Sequence, residues 1–492
     1  MAEAPSDDGK PEIPATPDKP VYRTSTEPRL RILIPLVVAC GLFMENLDST
    51  IISTSIPQIA RSLNQSPIML NLAVTSYLLS LAVFIPISGW IADRFGARKV
   101  FCSAIVLFTI GSALCGLADS LGMLVATRIL QGFGGAMMTP VGRLIVLRSF
   151  PKDGLVTAMS YVTMPALIGP TLGPIVGGFL TTYVSWRWIF YINIPIGVAG
   201  IALALRYIDD FRAQRPPRFD FLGFIVLGAG LALLELGIET LGRHLVGTDI
   251  QLALFAGAVV VLAAYGWHAR RVESPALDLR LFANRTFSIS VLTGGFCRVG
   301  LGAVPFLLPL MMQLGFGLDA FHSGVITFVS GIGAILMKTV SPWILKSFGF
   351  RRLLLGNALV VGGMIAGLAL FRADTPLWIL YAYLLVFGFL RSVQFTAMNT
   401  LGYSDLTPAI LSRATSISSV GQQLSVSFGV SMGASVLALV VGGGTVTAED
   451  FRPVFCIVAL VPVLSALGFA RLSPMDGAEV SGYRRPAPAA QG

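Results

Sequence analysis

The chain has 492 residues, of which 54% are hydrophobic and only 12% charged, about half the charged share of an ordinary soluble domain. No soluble packing hides that much apolar surface, which excludes a water-soluble enzyme or binding module and leaves an integral membrane protein. The net charge of +9 suggests nucleic acid only until the charges are located, and most of them flank apolar segments.

A tail over 1–30 is rich in Pro, Asp, Glu and Thr and lacks the apolar core of a cleavable leader, so the first span is expected to direct insertion. Apolar stretches of membrane-crossing length, about 20 residues each, are read at 31–56, 68–92, 99–118, 121–147, 155–182, 187–206, 219–240, 249–268, 287–314, 320–345, 352–371, 376–402, 412–442 and 452–471, fourteen in all. With the N-terminus inside, the inner turns and tails collect 26 of the 35 Lys and Arg and the outer turns five; Arg128, Arg298, Lys338 and Arg391 lie within spans. This positive-inside bias places both termini in the cytoplasm and accounts for the basic charge without nucleic acid. The five cysteines and three histidines show no metal-ligand spacing, so no metal or cofactor is signalled.

One turn occurs twice. Ser88-Gly-Trp-Ile-Ala-Asp-Arg-Phe-Gly-Ala-Arg-Lys99 follows the second span and Ser341-Pro-Trp-Ile-Leu-Lys-Ser-Phe-Gly-Phe-Arg-Arg352 the tenth, with Ser, Trp, Ile, Phe, Gly and Arg in register. Recurrence at that distance argues for two related halves. The expected architecture is all-α: a six-helix bundle over 31–206, two inserted helices with flanking cytoplasmic loops over 207–286, a second six-helix bundle over 287–471, and a cytoplasmic tail over 472–492.

Several spans carry groups that lipid does not tolerate idly. Glu45 and Asp48 are three residues apart on the first span, hence on one helical face. An ionised side chain at bilayer depth costs about 2.5–3.5 kcal/mol even on insertion scales, so such groups line cavities or relay protons. Two carboxylates in a poorly solvated site prefer to share a proton. The fourth span carries Arg128 followed by Gly132, Gly134 and Gly135. In the fifth, Gly169, Gly173, Gly177 and Gly178 expose a smooth backbone strip while Pro170 and Pro174 bend the helix. In the first basic turn, Gly89 leaves room for a neighbouring helix, and Asp93 is suited to accept from the exposed N–H groups at another helix start. Arg298, Arg391, Gln394 and Gln313 are candidates for a substrate cavity in the second half, and Glu235 and Glu239 lie one turn apart on the seventh span. The run Gly333 to Thr339 lacks the glycine that precedes the lysine of a phosphate loop, so an ion gradient rather than ATP is the expected energy source.

These stretches resemble the major facilitator superfamily over about residues 30–471, and specifically its fourteen-helix drug:proton antiporters of the EmrB/QacA type. The resemblance implies a proton-coupling acid at Asp48, within Leu47-Asp-Ser-Thr-Ile51, and an Arg128 associated with proton transfer. Glu45 has no fixed counterpart there. It implies a cytoplasmic latch made by Gly89, Asp93, Arg94, Gly96, Arg98 and Lys99 against the helix starting near Ser412, holding an outward-facing state; Lys346 replaces the acid in the second copy. It makes the fifth-span motif a mark of antiport. Trp186-Arg-Trp-Ile-Phe-Tyr-Ile-Asn-Ile-Pro-Ile-Gly197 is similar to a stretch specific to these exporters and is physically an aromatic interfacial anchor. Glu235 and Glu239 fall where the family is peripheral.

The implied activity is transport, not enzymatic catalysis: proton-driven export of small amphipathic compounds by alternating access from a bacterial inner membrane. The expected partners are a small-molecule substrate, protons, the bilayer and a periplasmic adaptor, and the expected state is monomeric. Arg298 and Arg391 keep open a selective exporter of one metabolite or anionic compound. Proton exchange at Asp48 requires that side chain to reach a central cavity.

Overall fold

The computed structural model describes residues 29–150, 155–210, 219–241, 247–407 and 410–483. Most of the expected N-terminal tail and the end of the C-terminal tail lie outside the described residues. The spanning helices are α1 (Leu30–Thr54), α2 (Asn71–Phe95), α3 (Ala97–Gly116), α4 (Leu121–Ser149), α5 (Leu155–Tyr183), α6 (Trp188–Tyr207), α7 (Phe221–Thr240), α8 (Thr248–Arg271), α9 (Arg285–Gly315), α10 (320–348) and α11 (350–370), two arms of one helical run that bends at Gly349, α12 (Leu377–Tyr403), α13 (Arg413–Val441) and α14 (Phe451–Phe469). Thirteen of these are long and apolar enough to cross a membrane. The fourteenth, α5, is a 29-residue helix standing where the fifth span is expected. Side-chain oxygens cap four of the helix starts: Ser120 accepts from the Met123 amide, Asp220 from Gly223, Asn284 from Phe287 and Asp319 from His322, each satisfying an N–H that the helix cannot.

Both copies of the repeated turn bend at the same residue. Gly96 has φ +102° and Gly349 φ +66°, a region that L side chains rarely occupy. A Cβ on Gly96 would fall 2.2 Å from Asp210 Oδ1, and one on Gly349 3.1 Å from the Tyr483 ring. Each turn is therefore covered by the segment that leaves its own bundle, the first after α6 and the second after α14.

The two halves are built alike. In one, α1 packs on α5 and α3 on α4; in the other, α9 packs on α13 and α11 on α12. They meet along two seams, α2 against α13 and α5 against α10. In lipid such packing depends on small residues that let backbones approach. At the α5–α10 seam a Cβ on Gly178 would stand 2.3 Å from Ala320 O, and one on Gly324 2.2 Å from Pro174 O. The inserted hairpin is not detached: α7 packs on both α2 and α13, with α8 against its outer side. Exposed Val259, Val260 and Trp267 make α8 a lipid-facing helix. We call the face carrying Gly96 and Gly349 the basic face, after the neighbouring Arg98, Lys99, Arg351 and Arg352.

Candidate functional site

A cavity of about 200 Å³ lies between the halves. Its walls come from α1, α2, α9 and α13, and include Asn46, Ser49, Leu78, Phe306 and Gln423. Glu45 is its one charged lining residue among those described. Glu45 accepts a 2.6 Å hydrogen bond from Thr139 Oγ1 of α4, so one oxygen is tethered to its own half.

Asp48 does not line this cavity. It is 1% exposed and points into the first half, where it forms an ion pair with Arg128. The expectation that Asp48 meets the cavity directly is corrected by this geometry, and the reason is rotational. Three residues turn an α-helix by about 300°, leaving the two side chains about 60° apart. That is enough for Glu45 to face the other half while Asp48 faces α4 and α6. Asp48 Oδ1 also accepts from Gln131 Nε2 at 2.8 Å and Asn193 Nδ2 at 3.2 Å. Arg128 donates further to Ala73 O at 3.0 Å and Gln131 Oε1 at 2.8 Å, and its guanidinium lies 4.0 Å from the Tyr77 ring centre. Asn193 is held in turn by Ser112 Oγ at 3.0 Å. The set ties α1, α2, α3, α4 and α6 together. Arg128 is 0% exposed and does not snorkel to either surface.

The glycines after Arg128 make this burial possible. A Cβ on Gly132 would lie 2.8 Å from Tyr77 O of α2, and one on Gly134 2.6 Å from Phe108 N of α3. The glycines of α5 act similarly on α1. Cβ atoms on Gly169, Gly173 and Gly177 would stand 3.1 Å from Phe43 O, 2.1 Å from Thr50 Oγ1 and 2.3 Å from Ile51 O. Gly178, with the carbonyl of Pro174, serves the opposite contact at the α10 seam. The strip thus grips the acid-bearing helix with one edge and the other half of the molecule with its other edge. Pro170 lies inside the same continuous helix, α5.

Residues 38–430 match the family profile described as Major Facilitator Superfamily. The chain is 40% identical over 446 residues to the "Putative multidrug resistance protein MdtD" of Serratia proteamaculans, covering 89% of this chain and 93% of that protein. It is 41% identical over 449 residues to the protein of the same name from Cronobacter sakazakii, covering 89% and 93%. The chain belongs to the major facilitator superfamily. Among solved structures it resembles a D-xylose–proton symporter (TM-score 0.65, 16% identity, 90% of this chain and 98% of that one) and the nucleoside transporter NupG (TM-score 0.61, 15% identity, 89% and 98%). At those identities the likeness concerns the fold alone. As a major facilitator protein the chain is a transporter rather than an enzyme. It is a multi-pass protein of a bacterial membrane, with a small-molecule substrate and the bilayer as partners.

The superfamily's basic turn is engaged within its own half. Asp93 Oδ1 accepts from Arg148 Nη2 of α4 at 2.7 Å, and Arg98 Nη1 donates to Ile208 O at 3.2 Å. Arg94 and Lys99 are exposed. A Cβ on Gly89 would meet nothing within 4 Å, so the close helix approach expected there is not made in this structure. The start of α13 is engaged elsewhere, through Arg413 Nη1 and Asp278 Oδ2 at 3.1 Å.

The polar residues expected at a second-half cavity do not line the cavity found. Arg298 Nη2 donates to Asn399 Oδ1 at 2.6 Å. Gln394 is 0% exposed, accepting from Asn357 Nδ2 at 2.8 Å and donating to Leu354 O at 3.3 Å. Gln313 Nε2 bridges the halves by donating to Thr54 O at 2.8 Å, and Arg391 sits half-buried on α12. Arg298, Gln394 and Gln313 are thus taken up by partners within the helix packing. The residues that sequence reading missed are Thr139, Gln131 and Asn193. Gln131 carries the one available signal, lying one turn after Arg128 on the same helical face.

Proposed function

We propose that the chain exports small cationic or neutral amphipathic compounds in exchange for protons, with Glu45 as the carboxylate that proton and substrate use in turn. The observation that carries this reading is that Glu45 is the one charged group described on the wall of a mostly apolar cavity between the halves. A carboxylate in such surroundings needs a proton or a cation. Thr139 tethers it without neutralising it. Binding of cargo displaces the proton toward the basic face, and a proton arriving from the opposite face displaces the cargo as the halves rock. Each net charge moved across 100 mV supplies about 2.3 kcal/mol. The Asp48–Arg128 pair holds α1 in the rotation that presents Glu45. The positive-inside bias supports a cytoplasmic basic face, an inner-membrane location and cytoplasmic termini, and the reading takes a single chain as the transporting unit. A negative cavity charge favours this cargo over an anionic compound, for which Arg298 and Arg391 would have to reach the cavity.

The test is substrate-dependent collapse of a pH gradient in everted vesicles, across cationic, neutral and anionic compounds, for the native chain and Glu45→Gln. Glu45→Gln is expected to accumulate normally and lose the response. Normal coupling in Glu45→Gln overturns the assignment, and a response to anionic compounds alone overturns the cargo class.

A further inference from the structure

The inserted helix carries two carboxylates that the cavity does not use. Glu235 and Glu239 are each 3% exposed, where α7 packs on α2 of one half and α13 of the other. The expected peripheral position is therefore corrected: they sit at the junction of both halves. Both oxygens of Glu239 accept from Asn71 Nδ2 at 2.9 Å, and its Oε1 also accepts from Thr75 Oγ1 at 2.8 Å. These two donors belong to α2. From α13, Ser431 Oγ stands 2.6 Å from Glu235 Oε1 and 2.9 Å from Glu239 Oε1, and Ser427 Oγ stands 2.9 Å from Glu235 Oε1.

A hydroxyl group has one hydrogen to donate. Ser431 donates to one of its two carboxyl contacts, so the other needs a hydrogen carried by the carboxyl itself. Glu239 already takes an amide and a hydroxyl from α2. Glu235 takes serine hydroxyls only, and its Oε2 has no hydrogen-bond partner among the described residues. The count places the hydrogen on Glu235, whose carboxylic O–H donates to Ser431 Oγ while Ser431 donates to Glu239. We propose that Glu235, Ser431 and Glu239 form a proton-holding clasp that closes the α2–α13 seam through the inserted hairpin. All three are positioning residues. Closing the seam takes one proton from water onto Glu235. Opening withdraws Ser431 from between the carboxylates and returns that proton to water. Release while the seam is still shut would leave two adjacent anions competing for one hydroxyl hydrogen.

The groups facing the pair from α2 and α13 are the amide and hydroxyls already named, and from α8 the acid at the same end is the exposed Asp249. Tyr77 of α2 is turned to Arg128. The other charged residues of the three packed helices lie at the basic face: Asp93 and Arg94 on α2, Arg413 on α13, and His268, Arg270 and Arg271 on α8. The hydrogen count stands without the transport reading, which enters only in saying when the seam opens.

Infrared difference spectroscopy of purified protein in lipid vesicles at neutral pH tests the clasp without transport. The native-minus-Glu235→Gln spectrum is expected to contain a carboxylic-acid C=O band, and Ser431→Ala, which keeps both carboxyls, is expected to shift that band. A difference spectrum showing only carboxylate bands, or a band unmoved by Ser431→Ala, overturns the proposal. In the vesicle transport assay, Glu235→Gln, a fixed mimic of the protonated acid, is expected to lower maximal rate at unchanged KM and flatten its pH profile. An unchanged profile overturns the link to seam opening and leaves the Glu45 reading intact.

Discussion

Arg128 and Arg298 are buried alike, at 0% and 3% exposure, each inside one half, yet their surroundings differ in kind. Arg128 faces a carboxylate, an amide, a carbonyl and an aromatic ring. Arg298 has the neutral Asn399 oxygen and, 5.6 Å away, the Phe395 ring; each guanidinium leaves one nitrogen without a partner among the described residues, Nη2 of Arg128 and Nε of Arg298. Removing one member of a buried ion pair leaves the other as an uncompensated buried charge. The first half is thus locked around its charge, whereas the second half holds its charge by dipoles alone.

The largest expected effect comes from breaking the locked side. Arg128→Met or Asp48→Asn leaves one polar member of the pair stranded in the bundle and is expected to cost about 3–5 kcal/mol, read as lower folded yield and earlier thermal unfolding in detergent. The double change Asp48→Leu with Arg128→Met is expected to recover most of that loss. Singles that unfold like the native chain would erase the distinction between the halves. Next come the two turns. Gly96→Ala and Gly349→Ala each force a side chain into a glycine conformation, at about 1–3 kcal/mol. The first is expected to be worse, since its Cβ meets carboxylate oxygens at 2.2 Å rather than a ring at 3.1 Å. Equal losses in a thermal-shift assay would show that the covers do not matter. The smallest effect is assigned to Arg298→Met, which removes a buried charge with no acidic partner and is expected to change stability by less than about 1 kcal/mol. A loss as large as that of Arg128→Met would reveal an anionic partner for Arg298.

Span positions were legible because length and hydropathy alone decide what crosses a bilayer, and most observed ends lie close to the expected ones. The exception is the second basic turn, where the helix that starts at Ala320 runs past the expected end at 345 up to the bend at Gly349, because the helical backbone continues through polar residues that hydropathy assigns to a loop. The paired halves were legible because the bend at Gly96 recurs at Gly349. What stayed hidden is rotation about each helix axis. Spacing put Glu45 and Asp48 on one side of α1, but only packing decides which of them sees the cavity. Asn193 gave no signal because a lone amide in an apolar run looks the same whether it reaches an acid or a backbone carbonyl. Glu235 and Glu239 looked peripheral because nothing in the order of spans states where an inserted pair docks.

The covered turns also change how the ends of the two bundles should be regarded. Asp210 and Tyr483 belong to stretches that read as a linker and a tail, yet each rests on the joint between two helices of the bundle it has just left. Shortening the carboxyl terminus before Tyr483, a common convenience in protein production, would therefore strip the lid from a hinge, and grafting the inserted pair elsewhere would do the same to its twin.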